Sequence, residues 1–215
     1  MRKTGSRSWT RVQVRKRGST SRECSPGNMA LTFISDLSVA DVRKLRLRSH
    51  DWLRIRLLLP TPADHDRLLD GIYEGALPIH GRVDQKGKVG DLVGTFWPGL
   101  YLISERFKKL LEETKVTGWR AYPTRCEGLV SEGALWVLGI TGRAGPVRTT
   151  RGILPSDRDT LGQYLDPRDW DGSDLFHPVH DGTSLVAARA ADVIEGAHLK
   201  NVLLEPGGLE ESRHD

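Results

Sequence analysis

Side chains that could do chemistry are concentrated between residues 166 and 181. This stretch holds carboxylates and imidazoles, the groups that bind metal ions and move protons in acid–base catalysis: Asp166, Asp169, Asp171, Asp174, His177, His180 and Asp181. Their spacing fits neither use. The H-x-x-H pair sits on a proline-containing segment without the helical spacing of H-E-x-x-H, and the glycine and closing glutamate of a calcium-binding loop are missing. We interpret the stretch as a turn, and we predict no metal site and no cofactor.

A second stretch, from 139 to 151, combines Gly139, Gly142 and Gly145 with arginines at 143, 148 and 151. It lacks the Lys-Ser/Thr of a P-loop and does not read G-x-G-x-x-G ahead of a helix. Guanidinium groups also pair well with carboxylates, so we predict that Arg143 and Arg148 contact an acidic partner surface. Ser104 does not lie in a G-x-S-x-G elbow and is predicted to cap a helix. No catalytic residue is therefore predicted.

An internal repeat is the most informative pattern around these residues. Segments 91–123 and 174–206 align without a gap at a constant offset of 83, and seven positions are identical. The identities are Asp91/Asp174, Leu92/Leu175, Gly99/Gly182, Leu102/Leu185, Arg106/Arg189, Glu112/Glu195 and Pro123/Pro206. Gly118 pairs with Asn201, and both residue types tolerate a left-handed turn. We predict a duplicated strand–helix–strand unit, in which Asp91 and Asp174 form local turns.

Each copy is predicted to contain a short strand (101–103; 184–186), a helix and a returning strand. In the first helix, Phe107, Leu110 and Leu111 have the spacing of a buried face. Elsewhere, alternation and apolar runs predict strands at 52–57 and 134–140. Helices are predicted at 38–45 and 63–72, a polar loop at 81–90, and a long connection from 141 to about 169.

Together these patterns predict an α+β fold, with the duplicated unit around a mixed or antiparallel sheet. The predicted parts are a disordered basic tail (1–28), an N-terminal α/β part (29–90), the duplicated domain (91–206) and a frayed tail (207–215). The sequence leaves open whether translation starts at Met1 or Met29.

Charge is distributed unevenly along the chain. The formal net charge is +4, of which residues 1–28 carry +7, so the other 187 residues carry −3. The basic tail is either a solvated extension or an arm that contacts nucleic acid through phosphates, with salt-sensitive binding. No stretch approaches the roughly 20 apolar residues of a membrane span. Of the two cysteines, Cys24 lies in the tail, so we expect no disulfide, a half-buried Cys126 and a cytoplasmic location.

The chain resembles the immunity proteins of bacterial polymorphic-toxin systems. The resemblance covers residues 90–206 and rests on Leu102-Ile103-Ser104-Glu105-Arg106-Phe107, on Gly118 to Pro123, and on Asp174-Leu175-Phe176 ahead of a second, weaker copy. The chain is similar to the eleventh catalogued immunity family and to the double-CxxCG family. It contains no C-x-x-C, so the zinc knuckles of the latter are not expected here. The resemblance implies a cytoplasmic protein that neutralises a cognate toxin by stoichiometric contact, without catalytic residues.

We therefore expect a protein-binding module that occludes the active site of a partner, for which a basic toxin is one candidate. The predicted contacts are Trp97, Asp169, Trp170 and Asp171, from loops that pair aromatic rings with acidic groups, together with Arg143 and Arg148. The alternative is an enzyme or nucleotide-binding protein that uses the Arg/Gly loop at 142–151 and the Asp/His cluster at 166–181.

Overall fold

A computed structural model describes residues 42–129, 133–151, 161–179 and 181–207. The strands within these ranges are β1 (Arg43–Leu47), β2 (Arg54–Leu57), β3 (Ile79–Gln85), β4 (Leu92–Thr95), β5 (Tyr101–Ser104), β6 (Trp119–Glu127), β7 (Leu135–Ile140), β8 (Gly142–Ala144), β9 (Arg148–Arg151), β10 (Leu161–Tyr164), β11 (Leu175–Pro178), β12 (Leu185–Val186) and β13 (Val202–Pro206). The helices are α1 (Pro62–Leu69), α2 (Glu105–Glu113) and α3 (Ala188–Gly196), and Pro167–Asp169 forms a short 3-10 turn. The predicted tail at 1–28 lies outside the described residues, as do residues 208–215 of the predicted tail at 207–215; Gly207 itself is buried and donates to Val42 O at 2.8 Å.

Six strands close into a barrel in the order β2-β3-β6-β7-β5-β4. β2 pairs with β4 and β3 with β6 in parallel, and the other four pairings are antiparallel. Inward side chains such as Ile55, Leu102 and Val137 fill the interior, and Leu68 of α1 packs among them with no exposed surface. The barrel thus joins strands from the predicted 29–90 part to strands from the predicted duplicated domain.

A second sheet has the order β13-β1-β12-β11-β8, with β8 and β11 parallel and the other neighbours antiparallel. β9 and β10 form a separate antiparallel ribbon. The predicted mixed α+β class is confirmed.

The largest core cluster lies between the barrel and the second sheet. It combines Phe107 and Leu111 of α2 with Ala190 and Ile194 of α3, and with residues of both sheets such as Leu138. Both helices begin directly after a short strand, and Ser104 caps α2 as predicted by accepting a hydrogen bond from Phe107 N at 3.1 Å. Both helices therefore bury one face against the same core.

The two predicted copies carry matching elements. The bounds of α2 and α3, and of β4 and β11, differ by the predicted offset of 83. Gly118 and Asn201 both have positive φ, at 81° and 62°, which confirms the predicted left-handed turns.

Three predicted elements are wrong. Residues 43–45 belong to β1 rather than to a helix, because this segment pairs with β12 and β13 from the far end of the chain. Residues 81–85 belong to β3 rather than to a loop, because the barrel pairs them on both sides. The predicted connection from 141 to 169 contains three strands, β8 to β10. In the described part of the chain, no helix is long and apolar enough to cross a membrane.

Candidate functional site

The acidic loop at 166–174 is held by hydrogen bonds within the chain. Asp166 caps the 3-10 turn through Arg168 N at 3.0 Å and also pairs with the Arg168 guanidinium, its Oδ2 lying 2.6 Å from Nη2. Asp171 accepts from Ser173 N at 2.9 Å and from Arg143 N at 2.8 Å. These contacts agree with the interpretation of the stretch as a turn, and Asp169 and Asp171 both remain exposed.

Asp91 and Asp174, the two equivalent aspartates of the repeat, do not form the predicted local turns, and that prediction is wrong. Asp174 accepts from Thr117 N at 2.8 Å and pairs with Arg189. Asp91 accepts from Lys200 N at 2.7 Å and pairs with Arg106 at 3.3 Å. Each carboxylate thus bonds the backbone beyond the helix of the other segment, and Thr117 and Lys200 are themselves 83 residues apart.

We call these two groups the Asp174 clamp (Asp174, Arg189 and Thr117) and the Asp91 clamp (Asp91, Arg106 and Lys200). The arginines extend the correspondence. Arg106 donates to Ala197 O at 2.6 Å, and Arg189 donates to Thr114 O at 3.4 Å. Both aspartates are only 6% exposed, so the clamps hold the fold together and offer little surface to a ligand.

Arg143 joins the acidic loop to the barrel. Its Nη1 donates to Ile140 O at 2.7 Å and to Gly142 O at 2.8 Å, and its Nη2 lies 2.9 Å from Asp70 Oδ1 at the end of α1. The main chain of Arg143 bonds to Asp171 on the other side. The structure therefore brings the predicted contacts Arg143 and Asp171 together, whereas Arg148 lies on β9 opposite Tyr164.

The predicted aromatic contacts are half-buried. The Trp170 ring packs on Phe176 with centroids 5.3 Å apart, and its Nε1 donates to Ser173 O at 3.1 Å. Trp97 stacks on His65 of α1 at 5.0 Å. Both rings therefore contribute to packing and keep an exposed edge.

Four exposed apolar side chains lie in the segments at the end of the barrel where β2 and β4 finish and β3 begins. They are Leu58, Ile72, Leu77 and Phe96, which are 47%, 58%, 53% and 49% exposed. The Arg56 guanidinium lies 4.1 Å from the centre of the Phe96 ring, and Phe96 is next to Trp97. We call Leu58, Ile72, Leu77, Phe96 and Trp97 the barrel-end surface. Of these, only Trp97 was predicted, because the other four are single apolar residues in loops whose proximity depends on the closure of the barrel.

A cleft of about 480 Å³ lies beside this surface, between α1 and the end of β11. Asp66, Asp70, Arg143, His177, Val179 and Asp181 line it. His177 is 3% exposed and its Nε2 lies 3.1 Å from Ser184 Oγ. Burial, with a smaller contribution from Arg143, lowers the pKa of His177 to about 4, so its imidazole is neutral at pH 7. His180, the other predicted histidine, lies outside the described residues.

No three His, Cys, Asp or Glu side chains within the described ranges come together in a way that could hold a metal ion. Cys126 is half-buried, as predicted, and burial raises the pKa of its thiol to about 11. No protein-family model matches the chain, and no curated protein matches it.

Proposed function

We propose that this protein is a non-catalytic protein-binding module of the immunity type, which inhibits a cognate toxin in the cytoplasm by covering its active site. The observation that carries the proposal is the barrel-end surface. Four large apolar side chains are exposed in segments at one end of the barrel, and exposed apolar patches on monomeric proteins commonly mark interaction sites. Aromatic residues ringed by charged groups are also the residues that contribute most to binding in protein interfaces. Phe96, under the Arg56 guanidinium, is the proposed central contact.

The charge of the chain after residue 28 favours a basic partner. Residues 29–215 carry a formal charge of −3. Asp66 lies on α1, and Asp70 directly follows that helix. Complementary charge speeds association and disfavours wrong partners. Trp97, Asp169, Trp170, Asp171, Arg143 and Arg148 remain predicted partner contacts.

The test is reconstitution with a partner isolated on the full chain. The purified partner is expected to form a one-to-one complex and to arrest growth of a host that lacks this chain. Growth is expected to resume when the chain is co-expressed. Phe96→Ala should weaken binding at least about tenfold, since an interface aromatic typically contributes more than 1.4 kcal/mol.

Glu113→Ala, at an exposed position on α2, is the matched control and should bind like the wild type. A partner whose growth arrest the chain does not relieve would contradict the inhibitor proposal. Equal binding by Phe96→Ala and the wild type would contradict the choice of surface.

The alternative of an enzyme or nucleotide-binding protein has one observation in its favour. Arg143 of the Arg/Gly loop and His177 and Asp181 of the Asp/His cluster line the same cleft. However, both Nη atoms of Arg143 already donate within the chain, and three carboxylates share the cleft with it. A phosphate would meet repulsion there. Thermal stabilisation by nucleotide or inorganic phosphate would favour this alternative over the first.

We also infer that segments 91–123 and 174–206 are copies of one duplicated unit. The matched bounds of α2 and α3 support this, as do the matched left-handed residues at 118 and 201. The reciprocal Asp91 and Asp174 clamps support it independently, because they pair side chains and backbone groups at the same offset. The duplication gives the module two similar halves around one core.

A further inference from the structure

The cleft beside the barrel-end surface has more negative than positive charge. Three carboxylates (Asp66, Asp70 and Asp181) face one guanidinium, that of Arg143. Arg143 is held by Asp70 at 2.9 Å, and no lysine or arginine within the described residues pairs with Asp66 or Asp181 in the cleft. The side chain of Asp66 is 75% exposed. A cation entering the cleft would therefore meet a field of the opposite sign.

A histidine at the cleft wall could provide an acceptor for the same ligand. His177 is 97% buried and its Nε2 faces Ser184 Oγ, but its Nδ1 has no hydrogen-bond partner within the described residues. The one fully occluded side-chain nitrogen or oxygen without a partner in that part of the chain is Trp97 Nε1. His177 is itself one of the residues that line the cleft. With Ser184 donating to Nε2, the neutral ring would be a donor at Nδ1; with Nε2 donating, Nδ1 would accept from a bound cation.

The wall of the cleft also offers apolar surface for the stem of a long cationic side chain. Val179 is 41% exposed at its rim, and Leu69 of α1 lines it. Lys and Arg side chains bury their methylene groups along such surface and keep the charged head at a polar site. The volume of about 480 Å³ lies within the range of small-ligand pockets, roughly 300–1,000 Å³.

The cleft is continuous with the barrel-end surface. Gly99 closes the turn that carries Phe96 and Trp97, and a Cβ built on it would lie 2.8 Å from Gly182 O at the cleft. Its positive φ of 74° and this close approach together require glycine. A partner seated on Phe96 would therefore reach the cleft without a gap.

We propose that the cleft receives a lysine or arginine side chain of the bound partner, with Asp66 and Asp181 providing the opposing charge and His177 Nδ1 accepting a hydrogen bond. This proposal rests on the proposed function, which supplies the partner whose side chain enters the cleft. It places the tip of a basic partner residue beside the apolar contact made by Phe96. In this arrangement the proton of the neutral His177 ring is on Nε2, which donates a hydrogen bond to Ser184 Oγ.

The first test needs no partner. The full chain is titrated with Nα-acetyl-lysine methylamide at millimolar concentration, and the ring nitrogens of His177 are followed by ¹⁵N NMR. The uncharged analogue Nα-acetyl-norleucine methylamide is the control. We expect the lysine compound to shift Nδ1, the norleucine compound not to, and Asp66→Asn/Asp181→Asn to abolish the shift. Equal shifts with both compounds, or none with either, would overturn the proposal.

The second test separates this proposal from the proposed function. The affinity of the purified partner is compared for the wild type, for Asp66→Asn/Asp181→Asn and for Asp192→Asn, an exposed aspartate on α3. We expect the double variant to bind at least tenfold more weakly and with less sensitivity to salt, and Asp192→Asn to bind normally. Undiminished, equally salt-sensitive binding by the double variant would overturn the cleft proposal and leave the inhibitor proposal intact. Binding of the lysine compound by a chain that relieves no toxin would overturn the inhibitor proposal alone.

Discussion

The Asp174 clamp gives the sharpest test of the fold. Asp174 is 6% exposed and accepts four hydrogen bonds, from Thr117 N at 2.8 Å, Thr117 Oγ1 at 2.9 Å, Arg189 Nε at 3.0 Å and Arg189 Nη2. In Asp174→Asn, an NH₂ group replaces one acceptor oxygen and faces donors. The Asn side chain is nearly isosteric with Asp, so the substitution creates no cavity. We expect it to lower the free energy of unfolding through the lost hydrogen bonds alone.

The magnitude follows from the exposure of the partners. The Arg189 side chain is 56% exposed, so its ion pair contributes at most about 1 kcal/mol. The hydrogen bonds to Thr117 are charge-assisted and partly buried, and such a bond typically contributes about 1.5–3 kcal/mol. We therefore expect a loss of about 2–4 kcal/mol.

The assay is urea unfolding followed by tryptophan fluorescence at pH 7, with Asp91→Asn as the matched variant. In the Asp91 clamp the backbone bond from Lys200 N at 2.7 Å corresponds to that from Thr117 N, and Ser104 Oγ at 2.6 Å donates in place of the Thr117 hydroxyl, so its loss should be of similar size. Asp192→Asn is the surface control and should change stability by less than about 0.5 kcal/mol. A loss below that level in either clamp variant, or a large loss in only one of them, would refute the reasoning.

Two further predictions concern titratable groups. The folded pKa of His177 is about 4 and its unfolded value is about 6.5, so below pH 6.5 protons bind the unfolded chain preferentially. Stability should therefore fall between pH 6.5 and 4, by up to roughly 3 kcal/mol, and urea unfolding of His177→Gln should show a smaller fall across this window. The Cys126 thiol, with its pKa raised to about 11, should react slowly with a disulfide reagent at pH 8 in the native Cys24→Ser protein and rapidly once urea is added; rapid native labelling would contradict its burial.

The sequence predicted correctly the elements that depend on the spacing of neighbouring residues. The spacing of Phe107 and Leu111 predicted α2, and the apolar run at 134–140 predicted β7, which pairs with β5 and β6. The strand β3 was missed because Gly81 and its charged neighbours are typical of a loop. In the barrel, Gly81 is needed because a Cβ there would lie 2.9 Å from the Ile55 side chain.

The site was less predictable than the fold. Asp66, Arg143 and His177 come from α1, β8 and β11, and nothing in their sequence spacing indicates that they share a cleft. The offset of 83 did identify Asp91 and Asp174 as equivalent, but not that each would bond the other segment. Such a crossed arrangement depends on how two units pack, which no single segment encodes.

The position of β1 sets the order in which the protein can be completed during synthesis. All six barrel strands have left the ribosome before β11, β12 and β13 are made, whereas β1, the first described strand, has no sheet partner until then. Arg43, Lys44 and Arg46 make the waiting strand charged, which discourages pairing with other chains. Once β13 emerges, Arg43 lies opposite Pro206 and Gly207 N donates to Val42 O at 2.8 Å. The last described strand therefore pairs with the first, and a ribosome stalled before β13 would carry a finished barrel beside an unassembled sheet.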